Sequence, residues 1–342
     1  MLNSRNLNVA AGAIAAVASI TAPSYAGSVN FGSGANQFTM DFVTIGNPGN
    51  AADTWGNPNA AGSVGYTYDI GKFEVSENMI TKYNAIFGSS NSLVITKDTR
   101  GTNKPATSIT WNEAARFVNW LNTSTGNQAA YKFTTSGVND NLVLWSSVDA
   151  GYNANNQYRN NLAKYFLPNY NEWYKAAYYD PNQTRYWAFT TGSDDGPESV
   201  TSGTLAGTAV INHAWVQGPA DVTQAGGLSA FGVMGLGGNV WEWEESTADL
   251  LNNSPTSARV FRGGAWNDGA LSLRKDDRPL FNYLPSDGDY SPNLGFRVAS
   301  LPSSSTTTPV PGPLPLFGAA AGFGWSRRLR SRIRRNANTL HK

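Results

Sequence analysis

The chain has 342 residues, with 25 basic and 24 acidic side chains, two histidines and no cysteine. That length suits one large domain or two ordinary ones, and 40% hydrophobic with 12% aromatic content is enough for a core. The missing cysteine excludes disulfides, zinc–thiolate sites, iron–sulfur clusters and a thiol nucleophile, and two histidines exclude a three-histidine metal centre.

Residues 1–26 read as a secretory signal peptide. Arg5 is the positive end, Leu7 to Ile20 is apolar and alanine-rich, and Ser24 and Ala26 place small residues at −3 and −1, so cleavage is expected after Ala26. An uncleaved anchor is disfavoured because the run falls short of the ~20 apolar residues of a spanning helix. Residues 27–300 contain no long Ser/Gly/Pro linker and no repeat of about 20–50 residues, and are read as one domain.

Within it, Ser76 is an N-cap for a helix whose face is Met79, Ile80, Tyr83, Ile86 and Phe87. Thr110-Trp111-Asn112-Glu113 is a capping box followed by the stripe Ala114, Phe117, Val118 and Leu121. Asn169-Tyr170-Asn171-Glu172 repeats the signature ahead of Trp173, Ala176 and Ala177. Strands are expected at Thr67 to Glu74, Val240 to Trp243, Val260 to Arg262 and Gly295 to Val298. The rest is Asn/Gly/Ser-rich loop. The fold class is therefore α+β with low regular content. Alternation in the strand at Val240 to Trp243 puts Val240 and Glu242 on one face and Trp241 and Trp243 on the other. Arg262 and Arg297 sit in apolar strands, where a guanidinium needs an acid or a carbonyl partner.

Residues 301–309 form a Ser/Thr/Pro linker. Val310 to Pro315 (VPGPLP) follows, then an apolar run from Leu316 to Trp325 and an arginine cluster at 327, 328, 330, 332, 334 and 335. An arginine cluster alone reads as a solvated tail or a nucleic-acid patch; directly after an apolar run it reads as a positive-inside stop. The order of residues 310–335, with Pro311, Pro313 and Pro315, resembles the PEP-CTERM sorting signal of Gram-negative bacteria, and residues 336–342 are a tail. The resemblance implies processing by signal peptidase and an exosortase-type protease, transient membrane contact, and delivery to the outer cell surface or extracellular matrix. Such processing removes Arg5, the six clustered arginines and Lys342 and no acid, taking the net charge from +1 to −7. That argues against a nucleic-acid partner.

Six segments, in order, carry a second resemblance: Gly71 to Ser76, Pro105 to Leu121, Tyr165 to Tyr174 (YFLPNYNEWY), Phe231 to Trp243 (FGVMGLGGNVWEW), Arg259 to Trp266 (RVFRGGAW) and Leu294 to Ala299 (LGFRVA). Together they resemble the formylglycine-generating enzyme, or sulfatase-modifying factor, family, whose fold is irregular, mixed α/β and related to C-type lectins. Its formylglycine-making members bind copper through two cysteines after the Gly-Gly motif. Asp268 and Leu273 fall near those positions here, and a carboxylate and an alkyl group cannot form a bis-thiolate copper(I) site. Other relatives use histidine-bound non-haem iron; only His213 and His341 are available, and the second lies in the expected discarded tail. The resemblance therefore argues against copper and non-haem iron. It implies a calcium site at Gly238, Val240 and Glu242, formed partly by backbone carbonyls, with Gly235 replacing an expected side-chain ligand, and a second near Asn212 and Asp221. Pairing of Glu242 with an arginine is the competing reading.

The remaining surface is the loop after Gly263-Gly264-Ala265-Trp266. Trp266, Asn267, Asp268, Arg274 and Arg278 offer an aromatic beside charges and amides, which suits peptide, glycan or matrix-ligand recognition. Lys275, Asp276 and Asp277 read as solvated. The leading expectation is a non-catalytic, exported binding module. An enzyme of different chemistry, built on Asp268 and a hard metal, and a structural matrix or biofilm component are the alternatives.

Overall fold

Two strands precede the first segment expected to be regular. β1 (Tyr25–Phe31) and β2 (Phe38–Ile45) pair antiparallel, with Phe31 opposite Phe38. The second alternates buried Phe38, Met40 and Phe42 with more open neighbours. The computed structural model describes residues 25–57, 60–277, 283–287 and 291–302. Residues 1–24, the linker beyond Pro302, the expected sorting signal with Pro311, Pro313 and Pro315, the tail, and Arg278 lie outside the described residues. Ala26 lies in the exposed start of β1.

The larger sheet adds β3 (Tyr68–Gly71), β4 (Tyr165–Phe166) and β8 (Ala299–Ser300), in the order β1-β2-β3-β8-β4, with antiparallel pairing throughout. The smaller sheet has β5 (Trp241–Thr247) at its centre, β6 (Arg259–Arg262) antiparallel on one side and β7 (Leu294–Gly295) parallel on the other. Of the strand expected at Gly295 to Val298 only Gly295 lies in a strand, and residues 296–298 link β7 to β8. β7 serves one sheet, β8 serves the other, and Arg297 lies at the crossing between them.

The three helices form where their caps are written. α1 (Glu77–Tyr83) starts at Ser76, whose hydroxyl accepts from the Met79 amide; its predicted continuation through Ile86 and Phe87 becomes a π-turn over Asn84–Gly88. α2 (Trp111–Thr123) and α3 (Tyr170–Tyr178) both carry complete capping boxes, Thr110 with Glu113 and Asn169 with Glu172. Such a cap contributes about 1 kcal/mol. α2 is buried on nearly every side, including Asn112, Glu113 and Asn122.

The core between helices and sheets is aromatic. Phe117 meets Tyr83 and Phe296 edge-on at 5.6 and 5.8 Å and stacks on Phe38 at 6.2 Å, while Phe31 meets the edge of Tyr165 at 5.2 Å. Buried indoles need a partner for their N–H. Trp111 donates to the Glu244 carbonyl (2.9 Å), Trp243 to the Ile109 carbonyl (2.8 Å) and Trp173 to the Glu242 carboxylate (2.7 Å). β5 is therefore held from outside its sheet as well as within it.

That strand also carries three buried carboxylates, each beside an arginine. Arg297 meets Glu242 through Nε (2.6 Å) and Nη2, and donates to the carbonyls of Gly71 and Met234. It so fastens β3, β5 and the loop before β5 together. Arg262 Nε lies 3.4 Å from Glu244, and its Nη1 donates to the Asp277 carbonyl. Arg159 spans Glu245 (2.7 Å) and Glu172 (2.8 and 2.9 Å), with its guanidinium 3.7 Å above the Phe166 ring. Breaking such a pair strands a charge in low dielectric, which costs about 3–5 kcal/mol.

Candidate functional site

The site grows from β5 and β6. Strand alternation puts Trp241 and Trp243 on one face, and both meet the edge of Phe261 on β6, at 5.5 and 5.8 Å. Trp243 is fully buried, whereas Trp241 keeps part of its surface open. Tyr283 stacks on Phe261 at 5.4 Å, and its carbonyl accepts from the Arg259 amide. Trp241 is fixed from the other side by its amide, which donates to the Asn293 carbonyl.

These aromatics form the wall of a cavity of about 370 Å³. Asp268, Ser272, Asp277 and Asn293 supply its polar lining. Asp268 is held in place by the Ala265 amide, which donates to its carboxylate at 2.9 Å, and by a side-chain hydrogen bond with Trp241. Burial raises its pKa, and those two hydrogen bonds offset part of the rise. The carboxylate is thus partly desolvated and faces an apolar wall. The turn that delivers it needs glycine: Gly263 and Gly264 have φ of 104° and 74°, and a Cβ on Gly263 would lie 2.8 Å from the Leu236 carbonyl oxygen.

The residues expected to form a cleft separate. Trp266 is not a surface aromatic. It is fully buried among Val210, Ala220, Val240 and Ala265, beneath Arg100 and beside Trp215. Its backbone is bonded on both sides, to Asn239 and His213, which turns the side chain inward. Asp268 does line the cavity, and Asn267 adjoins it through a hydrogen bond from Asn293. Arg274 is exposed and paired with Asp276 at 2.8 Å. Leu273 is buried against Phe189, Ala209 and Ile211. Asp277, read as solvated, lines the cavity.

Trp241, Phe261, Tyr283 and Asn293 were not expected at the site. Trp241 reads as framework because it shares the face of a buried tryptophan. Nothing in the sequence separates it from Trp243, two residues on in the same expected strand.

The residues of the implied calcium sites are differently engaged. Both oxygens of Glu242 accept from Arg297 or Trp173, and Asp221 pairs with Lys104 at 3.1 Å. Gly238 is pressed against the Val210 carbonyl, and the Asn212 amide donates to the carbonyl of Asp268. Val240 is fully buried in the Trp266 cluster. The carboxylates of Glu242 and Asp221 are thus paired with cations, the competing reading for Glu242. No group of three or more His, Asp or Glu suited to a metal occurs among the described residues.

The Sulfatase-modifying factor enzyme 1-like domain matches residues 25–301. The chain belongs to this family. Its fold is also that of solved relatives. Treponema denticola variable protein 1 superposes with a TM-score of 0.53 at 20% identity, covering 80% of this chain and 99% of that one. CarF superposes with a TM-score of 0.55 at 19% identity, covering 77% and 98%. PvdO from Pseudomonas aeruginosa covers 80% and 98% at 16% identity and a TM-score of 0.46. No curated protein sequence matches. The α+β, sparsely regular fold expected from the six motifs is the family's fold.

Proposed function

We propose that this chain is an exported, non-catalytic member of the sulfatase-modifying factor family, which binds a peptide or glycan ligand in the Trp241–Asp268 cavity at the cell surface or in the extracellular matrix. One observation carries the reading. The loop after the Gly-Gly turn, where formylglycine-making members carry their cysteines, here presents a carboxylate to an aromatic wall. A rigid aromatic face supplies contact area at low entropic cost, and a few fixed polar groups orient the ligand. Export rests on the signal-peptide pattern of residues 1–26 and on the proline–apolar–arginine order of residues 310–335.

Peptide and glycan arrays probed with the full-length protein test it. Trp241→Ala and Asp268→Asn are expected to weaken binding of the selected ligand at least tenfold while leaving the melting temperature within a few degrees of the parent. Binding that survives both substitutions would move the site elsewhere.

A further inference from the structure

A second concavity, of about 430 Å³, lies between the loop 153–161 and the start of α3. Six asparagines line it: Asn153, Asn155, Asn156, Asn160, Asn161 and Asn169. Tyr66 adds aromatic surface, and Arg159 lies in its floor, over the buried Phe166 ring.

The asparagines fall into two sets by what their amides hold. Asn156 donates to Glu245 and accepts from Tyr158 and Asn252. Asn160 donates to the Ala150 carbonyl and accepts from the Leu162 amide. These two build the loop. Asn155 and Asn161 are exposed. Asn161 uses its oxygen to accept from Asn153, and Asn169 uses its oxygen to cap α3. A primary amide has two donors and an acceptor with two lone pairs, so these side chains keep unused capacity at the cleft.

The ionised groups beneath the cleft are paired and withdrawn from it: Arg159 bonds Glu172 and Glu245, and both carboxylates are fully buried. Tyr66 is tethered through its hydroxyl to Glu172, yet the residue is 42% exposed, so the open part of it is ring. Neutral donors and acceptors around a fixed aromatic face, without a dominant charge, match a ligand that is itself uncharged, rich in hydroxyls and apolar on one side. We infer that the asparagine-lined cleft is a binding site for a neutral saccharide, separate from the Trp241 cavity.

The test uses the full-length protein with neutral glucose, galactose and N-acetylglucosamine oligosaccharides, and with sulfated and sialylated glycans for comparison. Calorimetric titration measures affinity for the best neutral ligand. Asn155→Ala and Asn161→Ala are each expected to lower it about five- to tenfold, the factor of one or two neutral hydrogen bonds, with an unchanged melting temperature. Absence of binding to every neutral oligosaccharide, binding confined to charged glycans, or loss in Trp241→Ala but not in the asparagine variants would each overturn the inference. Loss of the Trp241 ligand alone would bear on the other cavity and not on this one.

Discussion

Replacing Glu74 with glutamine is expected to stabilise the fold at neutral pH and to leave it unchanged in acid. Glu74 is 1% exposed, with the Asn239 amide donating to its Oε1 at 2.8 Å and no hydrogen-bond partner for Oε2 among the described residues. Burial pushes its pKa up to about 7, from an ordinary 4.5; Arg297 pulls against that rise, while Glu242 adds to it. The folded state therefore holds this proton to higher pH than the unfolded chain does. The associated stability is complete below about pH 4.5 and is lost as pH climbs through about 7. At about 1.4 kcal/mol for each tenfold in proton affinity, the ionised carboxylate costs the fold about 3 kcal/mol. Glutamine keeps the shape and an acceptor for Asn239 and never ionises. Urea denaturation of parent and variant at several pH values isolates the effect, since every other group titrates in both. The variant is expected to gain up to about 3 kcal/mol near pH 8, with the gap closing near pH 4.5. A variant no more stable than the parent near pH 8, or a gap independent of pH, would refute the reasoning.

Other positions give sharper losses. Arg297→Ala strands Glu242 and is expected to cost about 3–5 kcal/mol, and Arg297→Lys is not expected to rescue it because the contact uses two guanidinium nitrogens; denaturation midpoints measure both. Thr110→Ala removes one half of the α2 capping box and is expected to lower stability by about 0.5–2 kcal/mol by the same assay. Gly238→Ala puts a Cβ 2.5 Å from the Val210 carbonyl oxygen at φ +80°, so thermal melting is expected to show a loss of more than about 1 kcal/mol.

The parts of the fold legible in sequence were those with local causes. Ser76, Thr110 and Asn169 are read as caps because the side chain that bonds the helix start sits three residues from its partner. The need of Arg262 and Arg297 for partners follows from charge in an apolar strand, and the structure supplies acids and carbonyls for both. Which acid each would meet was not legible, because Glu242 and Arg297 are brought together by strand pairing across 55 positions. β1 has no local cause: Gly27, Ser28 and Asn30 interrupt it, and its pairing with β2 defines it. The burial of Trp266 was not legible for a related reason. Trp241 and Trp266 look equivalent in sequence, and only the backbone bonds from Trp266 to Asn239 and His213 decide that it is the one turned inward.

The most direct test of the account asks whether the retained framework still does the family's chemistry. Purified full-length protein is incubated with copper, oxygen and a cysteine-containing sulfatase peptide, and the peptide is read by mass spectrometry. With Asp268 and Leu273 in the region of the cysteine pair, the peptide is expected to be recovered with its thiol intact. Conversion of that cysteine to an aldehyde would contradict the claim that this chain kept the fold and gave up the reaction.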